Sequence, residues 1–273
     1  GVPSGGPRRV GRLIESLAAA FAAGEEAWVK ASLVGGEPAF GDVWRSTKLV
    51  PGWLPECEAA ALFVVLSELR PASIVEIGSY LGRSTVFLAT TQKTLGVHGS
   101  VVAVDPHTGD RQHLEGLGVT ELPSFELFSA HLAASGVSER ISPVVSTSHD
   151  ASTKWDRGAV DFLFVDGWHS YESVLEDGRD WLPRLSDHAI AVFDDVVHYE
   201  EVDRAVVQLA DERVARLYGS AFGKAFMGRA PRPPAAVEKV LGAFEPMTKH
   251  LRPVLRRLHA VRTRSVVSGS AVR

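Results

Sequence analysis

The chain has 273 residues, 45% of them hydrophobic and 23% charged, with a formal net charge of −4. That balance fits one large globular domain with appendages and argues against nucleic acid as the main partner. One cysteine, Cys57, excludes an internal disulfide and a four-cysteine zinc site, and no apolar run reaches the ~18–20 residues of a membrane span.

The first residues, Gly1 to Gly6, lack the apolar core of a signal peptide, so a cytoplasmic location is expected. Leu13, Ile14, Leu17, Phe21 and Trp28 recur at helical spacing, and residues 1–52 read as an N-terminal helical cap or lid that closes with a loop from Gly35 to Gly52. A helix is expected over Pro55–Leu69, with Pro55 in its first turn and Ala59, Leu62, Phe63, Leu66 and Leu69 as its buried stripe. Cys57 sits in it among alanines and reads as a structural thiol. Strands and helices then alternate: strand Ser73–Ile77, helix Ser84–Leu95, strand Val101–Asp105, helix Phe125–Ala134 capped by Ser124, strand Ile141–Val145, strand Val160–Asp166, helix Tyr171–Leu185 capped by Ser170, strand Ala189–Asp194, helix Glu200–Asp211. Two short strands, near Arg213–Tyr218 and Gly223–Met227, end the pattern as a hairpin across Gly219–Phe222. The expected fold is α/β: a Rossmann-like, seven-stranded, mostly parallel sheet with helices on both faces and an antiparallel last strand. Residues 53–229 carry it. Residues 230–273 begin with Pro231, Pro233 and Pro234 and accumulate Lys249, Arg252, Arg256, Arg257, Arg262 and Arg264, a basic tail with one apolar helical face suited to weak contact with an anionic membrane or polymer.

The chemistry gathers at strand ends. The runs Phe162-Leu163-Phe164-Val165 and Ala191-Val192-Phe193 are apolar on both faces and stop at Asp166 and at Asp194-Asp195. Ligands of open α/β sheets lie outside the carboxyl ends of the strands, so these three acids are expected to converge there. Three carboxylates repel one another unless a cation lies between them, and a divalent ion with oxygen ligands, Mg²⁺ above all, suits such a site. His169, three residues past Asp166, is placed to take a proton from whatever the ion holds. Ile74 to Thr85 reads as strand, glycine turn and helix start, with Gly78 and Gly82 spaced four apart after Glu76. The acid would repel a pyrophosphate but suits a cofactor bearing an ammonium and a sulfonium. Asp105, ending the second strand, suits ribose hydroxyls.

The order E-I-G-x-x-x-G, V-D-P, F-V-D-G-x-H, F-D-D resembles the class I S-adenosylmethionine-dependent methyltransferases over residues 50–229. More narrowly it is similar to metal-dependent O-methyltransferases of the macrocin and mycinamicin sugar type, and to enzymes that methylate mannose or glucose units of polymethylated polysaccharides. The resemblance implies that Glu76, Gly78 and Gly82, with Tyr80 and Ser84 in the same turn, line the methionine end of S-adenosylmethionine. It places Asp105 at the ribose, Ser148 near adenine, Asp166 beside the cofactor, and Asp166, Asp194 and Asp195 on the metal, with His169 as general base. Tyr80-Leu81 departs from the small residues common between those glycines. The activity so implied is methyl transfer to a hydroxyl of a sugar or glycoside, with phenolic acceptors, or a Rossmann-like oxidoreductase, as alternatives. A small-molecule or oligosaccharide acceptor and a homo-oligomer, a dimer, are the expected partners.

Overall fold

The computed structural model describes residues 33–34, 37–108 and 124–243. Its helices are α1 (Pro38–Thr47), α2 (Glu56–Leu69), α3 (Arg83–Thr94), α4 (Ser124–Ser135), α5 (Ser148–Thr153), α6 (Tyr171–Trp181) and α7 (Glu200–Asp211). Its strands are β1 (Ser73–Ile77), β2 (Ser100–Val104), β3 (Ile141–Val144), β4 (Val160–Val165), β5 (Leu185–Phe193), β6 (Arg216–Ala221) and β7 (Lys224–Gly228). The strands form one sheet in the order β3-β2-β1-β4-β5-β7-β6. β1 to β5 pair in parallel, and β7 runs antiparallel to both β5 and β6. This is the expected Rossmann-like architecture.

Side chains alternate across a strand, so each central strand feeds two cores. Ile74, Val101, Phe162, Phe164, Ile190, Val192 and Phe226 point to one face, where α2, α3 and α4 cover them. Val75, Val102, Leu163, Val165, Ala191 and Phe193 point to the other, under α6 and α7. Burying each large apolar side chain contributes roughly 1.5–3 kcal/mol, so a sheet clothed on both sides tolerates polar groups only at its ends. The functional groups therefore have one place to go, the loops that leave the carboxyl ends of β1, β2, β4 and β5.

Several boundaries differ from expectation, each for a local reason. Residues 38–47, expected as loop, form α1, with Pro38 in its first turn and Phe40 and Val43 buried. Phe40 meets Phe63 of α2 edge-on at 5.5 Å, which fixes α1 to the main core. Pro55 caps α2 rather than lying inside it. α6 stops at Trp181, because Leu182–Arg184 tightens into a 3₁₀ turn containing Pro183. β5 then starts at Leu185, four residues earlier than expected. The β6–β7 turn falls at Phe222-Gly223, both in the left-handed region (φ 52° and 75°), instead of spanning Gly219–Phe222. Ser170 does cap α6, accepting from the Ser173 N–H.

Residues 235–243 are helical, and Ala236, Val237 and Val240 pack into the same core as α2. The helix expected around Leu13–Trp28 and the basic residues from Lys249 onward lie outside the described residues. No helix among the described residues is long and apolar enough to cross a membrane.

Candidate active site

The turn after β1 is built around Gly78. Its φ of 84° is left-handed, and a Cβ there would fall 2.1 Å from the Asp166 carbonyl oxygen. Only glycine lets the β1 turn pass against the end of β4. Gly82 (φ 93°) then opens α3. Between them Tyr80 also takes a positive φ, 44°, and its ring stacks on Trp53 at 5.3 Å. The departure noted at Tyr80-Leu81 thus has a structural counterpart, an aromatic pair at the mouth of the turn with Trp53 70% exposed.

Asp105 holds this turn in place. One carboxylate oxygen accepts from the N–H groups of Ser79 (2.9 Å) and Tyr80 (2.8 Å), and the other accepts from His107 (2.7 Å). Three of the roughly four lone-pair directions of the carboxylate are committed to backbone. Any ribose contact by Asp105 has to share them.

Glu76 is fully buried beneath the same turn. One of its oxygens accepts from the Thr85 hydroxyl, and the other, Oε1, has no partner. Burial pushes its pKa up to about 7, against the pull of the Ser84 and Thr85 hydroxyls. A buried acid with an orphaned oxygen suits a cationic neighbour.

At the ends of β4 and β5 the structure draws Asp166, His169 and Asp195 together: one ligand atom from each lies within 4.8 Å of the others. His169 Nε2 is 2.9 Å from Asp195 Oδ2, and its ring lies parallel to Tyr199 at 4.2 Å. The Nε2 atom is buried, yet no hydrogen bond is aligned on it. The three ligand atoms are close enough together to share one cation. Burial acts to raise the Asp195 pKa, but the close approach of His169, with His198 and Lys224, brings it below the ordinary value. Asp166 goes the other way. Burial and the neighbouring Asp194 hold its pKa well above the carboxylate range, although Lys224 opposes them.

Asp194 does not join this group. It turns back into the core, where its Oδ1 is 2.6 Å from the Lys224 ammonium and accepts from the Asp195 N–H at 2.7 Å. Lys224 is completely buried and also meets Glu58 at 2.7 Å. The three acids expected to converge are thus divided by side-chain direction, two toward His169 and one toward a lysine. Nothing in the sequence reading anticipated Lys224 or Glu58. The available signal was a lone cation opening the apolar run Lys224-Ala225-Phe226-Met227, in a strand that sits beside acid-tipped β5.

Ser148, expected near adenine, opens α5 after β3 at the same sheet edge. Its hydroxyl accepts from the Trp181 indole at 2.9 Å and faces the buried Asp177. Burial raises Asp177 to about 6, with the Ser148 hydrogen bond opposing. Trp181 belongs to the core, whereas Trp168 stands 53% exposed beside His169. His107 packs against Phe125 and Phe128, both ring centroids 5.2 Å away.

Comparison with known proteins bears on this edge of the sheet. Residues 75–196 match the family model of a methyltransferase domain. The match runs from β1 through the acid pair after β5, so it contains the glycine turn, Asp105, Asp166, His169 and Asp195. The uncharacterized protein y4gI of Sinorhizobium fredii is 30% identical over 128 residues, 46% of this chain. The chain spans only 13% of the length of that relative. Among solved structures, the SAH-bound methyltransferase PaMTH1 of Podospora anserina aligns with TM-score 0.53 at 13% identity, covering 70% of this chain and 87% of that one. An SAH complex of an O-methyltransferase from Bacillus cereus aligns with TM-score 0.52 at 14% identity, covering 74% and 94%. Cofactor-bound Rv0187 from MTB aligns with TM-score 0.51 at 19% identity, covering 74% and 93%. At these identities the likeness establishes the fold alone, the Rossmann-like seven-stranded sheet.

Proposed function

We propose that this protein transfers a methyl group from S-adenosylmethionine to a hydroxyl group, and that the acceptor is a sugar or glycoside. The observation that carries the reading is the charge balance at the carboxyl edge of the sheet. Glu58 and Asp194 meet Lys224 there, Asp166 and Asp195 lie beside them, and Glu76, buried near Asp166, keeps an oxygen without a partner. Such an edge favours a ligand with a sulfonium and an ammonium and disfavours a pyrophosphate. The matched methyltransferase domain supports the same choice.

S-adenosylmethionine supplies a methyl group on a sulfonium, and the sulfur keeps the bonding pair as the carbon–sulfur bond breaks. The chain supplies position and a proton acceptor. The Gly78–Gly82 turn, held by Asp105, offers backbone groups to the amino-acid end, and Glu76 offers it a negative charge. Asp195, 2.9 Å from Nε2, and the stacked Tyr199 ring fix the plane of His169, which places the imidazole to take the acceptor's hydroxyl proton as the new carbon–oxygen bond forms. The exposed face of Trp168 and the Tyr199 ring offer aromatic walls to an acceptor.

The unaligned, buried Nε2 of His169 favours a second form of the same reaction. Asp166, His169 and Asp195 would then hold a divalent ion, which lowers the pKa of an acceptor hydroxyl, and the imidazole serves as ligand instead of base. A methyl-donor assay across sugars, glycosides and phenols, with and without a chelator, distinguishes the two forms and the acceptor classes. Calorimetric titration with S-adenosylhomocysteine and with NADH tests the class itself; binding of NADH alone overturns the proposal.

A further inference from the structure

Lys224 is the least expected group in the molecule. It opens β7 with none of its surface exposed, its ammonium 2.6 Å from Asp194 and 2.7 Å from Glu58, and 5.6 Å from the centre of the Phe164 ring. Taking an ammonium fully out of water costs several kcal/mol unless its partners are well placed. Here the two partners come from distant segments, Glu58 from α2 and Asp194 from the end of β5, and meet the lysine at the start of β7. Asp194 Oδ1, fixed by Lys224, accepts the N–H of Asp195. Asp195 has a left-handed backbone, φ 62°, a conformation costly for a non-glycine residue unless its surroundings hold it. That turn is what carries the Asp195 carboxylate to His169.

Resting on the methyltransferase reading for its functional part, we propose that Lys224 is the resident cation of the carboxylate cluster: it occupies the position beside Asp194 that a divalent ion would otherwise take, and through Asp194 it sets the turn that delivers Asp195 to His169. Asp194 is then a positioning residue, and any divalent ion at this edge is held by Asp166, His169 and Asp195 without it. An ammonium and a metal ion are alternative solutions to one electrostatic demand, and this chain carries the covalent one.

The test is metal-dependent stability and Mn²⁺ binding in Lys224→Met, Asp194→Asn and Asp195→Asn, with turnover as a separate arm. Lys224→Met leaves the buried Asp194 and the partly buried Glu58 without a cation, so its thermal midpoint should fall in the absence of metal, and saturating Mn²⁺ should raise it by more than it raises the wild type. Where Lys224→Met alone does not fold, Glu58→Gln/Lys224→Met takes its place, because it leaves Asp194 as the one carboxylate of the pair without a cation; Asp194→Asn/Lys224→Met should show no such added response. In Mn²⁺ titrations Asp195→Asn should weaken binding by about 10-fold or more, while Asp194→Asn changes it much less. In the assay, Lys224→Met should lower kcat by about 10-fold or more with little change in the donor's KM, and Lys224→Arg should recover part of the loss. The proposal is overturned if removal of Lys224 brings no added Mn²⁺ response, or if Asp194→Asn weakens Mn²⁺ binding as much as Asp195→Asn does. A wild-type protein without methyl transfer would sink the proposed activity and leave the stability arm to decide the role of Lys224.

Discussion

Replacing Glu76 by glutamine is the sharpest probe of the cofactor turn. Glu76 is fully buried, and its pKa moves from the ordinary 4.5 to about 7 because burial penalises the ionised form. The energetic equivalent, at 1.36 kcal/mol per pH unit, is about 3 kcal/mol. The sign follows from which state binds the proton more tightly. The folded pKa is the higher one, so the contribution of Glu76 to stability is fully present below about pH 4.5. It is lost as pH rises through about 7, and above that the wild type carries the full penalty. Glu76→Gln keeps the shape and an acceptor for the Thr85 hydroxyl but cannot ionise. Urea denaturation of both proteins from pH 4.5 to 8.5 should therefore give a difference curve that grows across this window, with the glutamine variant the more stable by about 3 kcal/mol at pH 8. Taking the difference removes Glu58 and Asp177, the raised acids that do not sense Glu76, and leaves Glu76 with the part of the Asp166 shift that Glu76 causes. The same substitution should weaken binding of S-adenosylhomocysteine and remove its rise with pH, because a cationic ligand favours the ionised acid. A difference curve that is flat with pH would refute the reasoning, whatever its height.

Three further outcomes are expected. Gly78→Ala places a Cβ 2.1 Å from the Asp166 carbonyl oxygen in a left-handed residue, and should destabilise the fold by about 3 kcal/mol or more, read by thermal unfolding; near-wild-type stability would mean that the β1 and β4 ends can move apart. His169→Gln and Asp195→Asn should each lower kcat by about 100-fold or more while leaving S-adenosylhomocysteine affinity within a few-fold, since both act on the hydroxyl and not on the donor; equal loss of ligand binding would count against that division of labour. Ser170→Ala removes the side-chain cap of α6 and should cost about 1 kcal/mol, whereas Ser170→Gly should cost only a few tenths, a contrast that urea denaturation resolves.

What a single chain of letters could show here was periodicity and its interruptions. Apolar runs unbroken on both faces identified β4 and β5 as buried parallel strands, and a strand has to end where charge begins, so Asp166, Asp194 and Asp195 were legible as edge residues. The glycine turn after β1 was legible because its left-handed residues need glycine or tolerate strain, and the cap of α6 because a serine hydroxyl can replace the missing helical acceptor. α1 was misread because its Gly41 and Pro38 look like breakers; the contact of Phe40 with Phe63 decides otherwise.

The partners of the acids could not be read from local pattern. Asp194 and Asp195 are neighbours in sequence with identical chemistry, yet one faces Lys224 and Glu58 and the other His169. Lys224 lies 30 residues from Asp194 and 166 from Glu58. The sequence alone determined that negative charge gathers at one end of a doubly covered sheet. Only the tertiary structure decided which carboxylates an internal lysine neutralises and which remain for a ligand, because the antiparallel return of β7 beside β5 is what brings that ammonium to the acids.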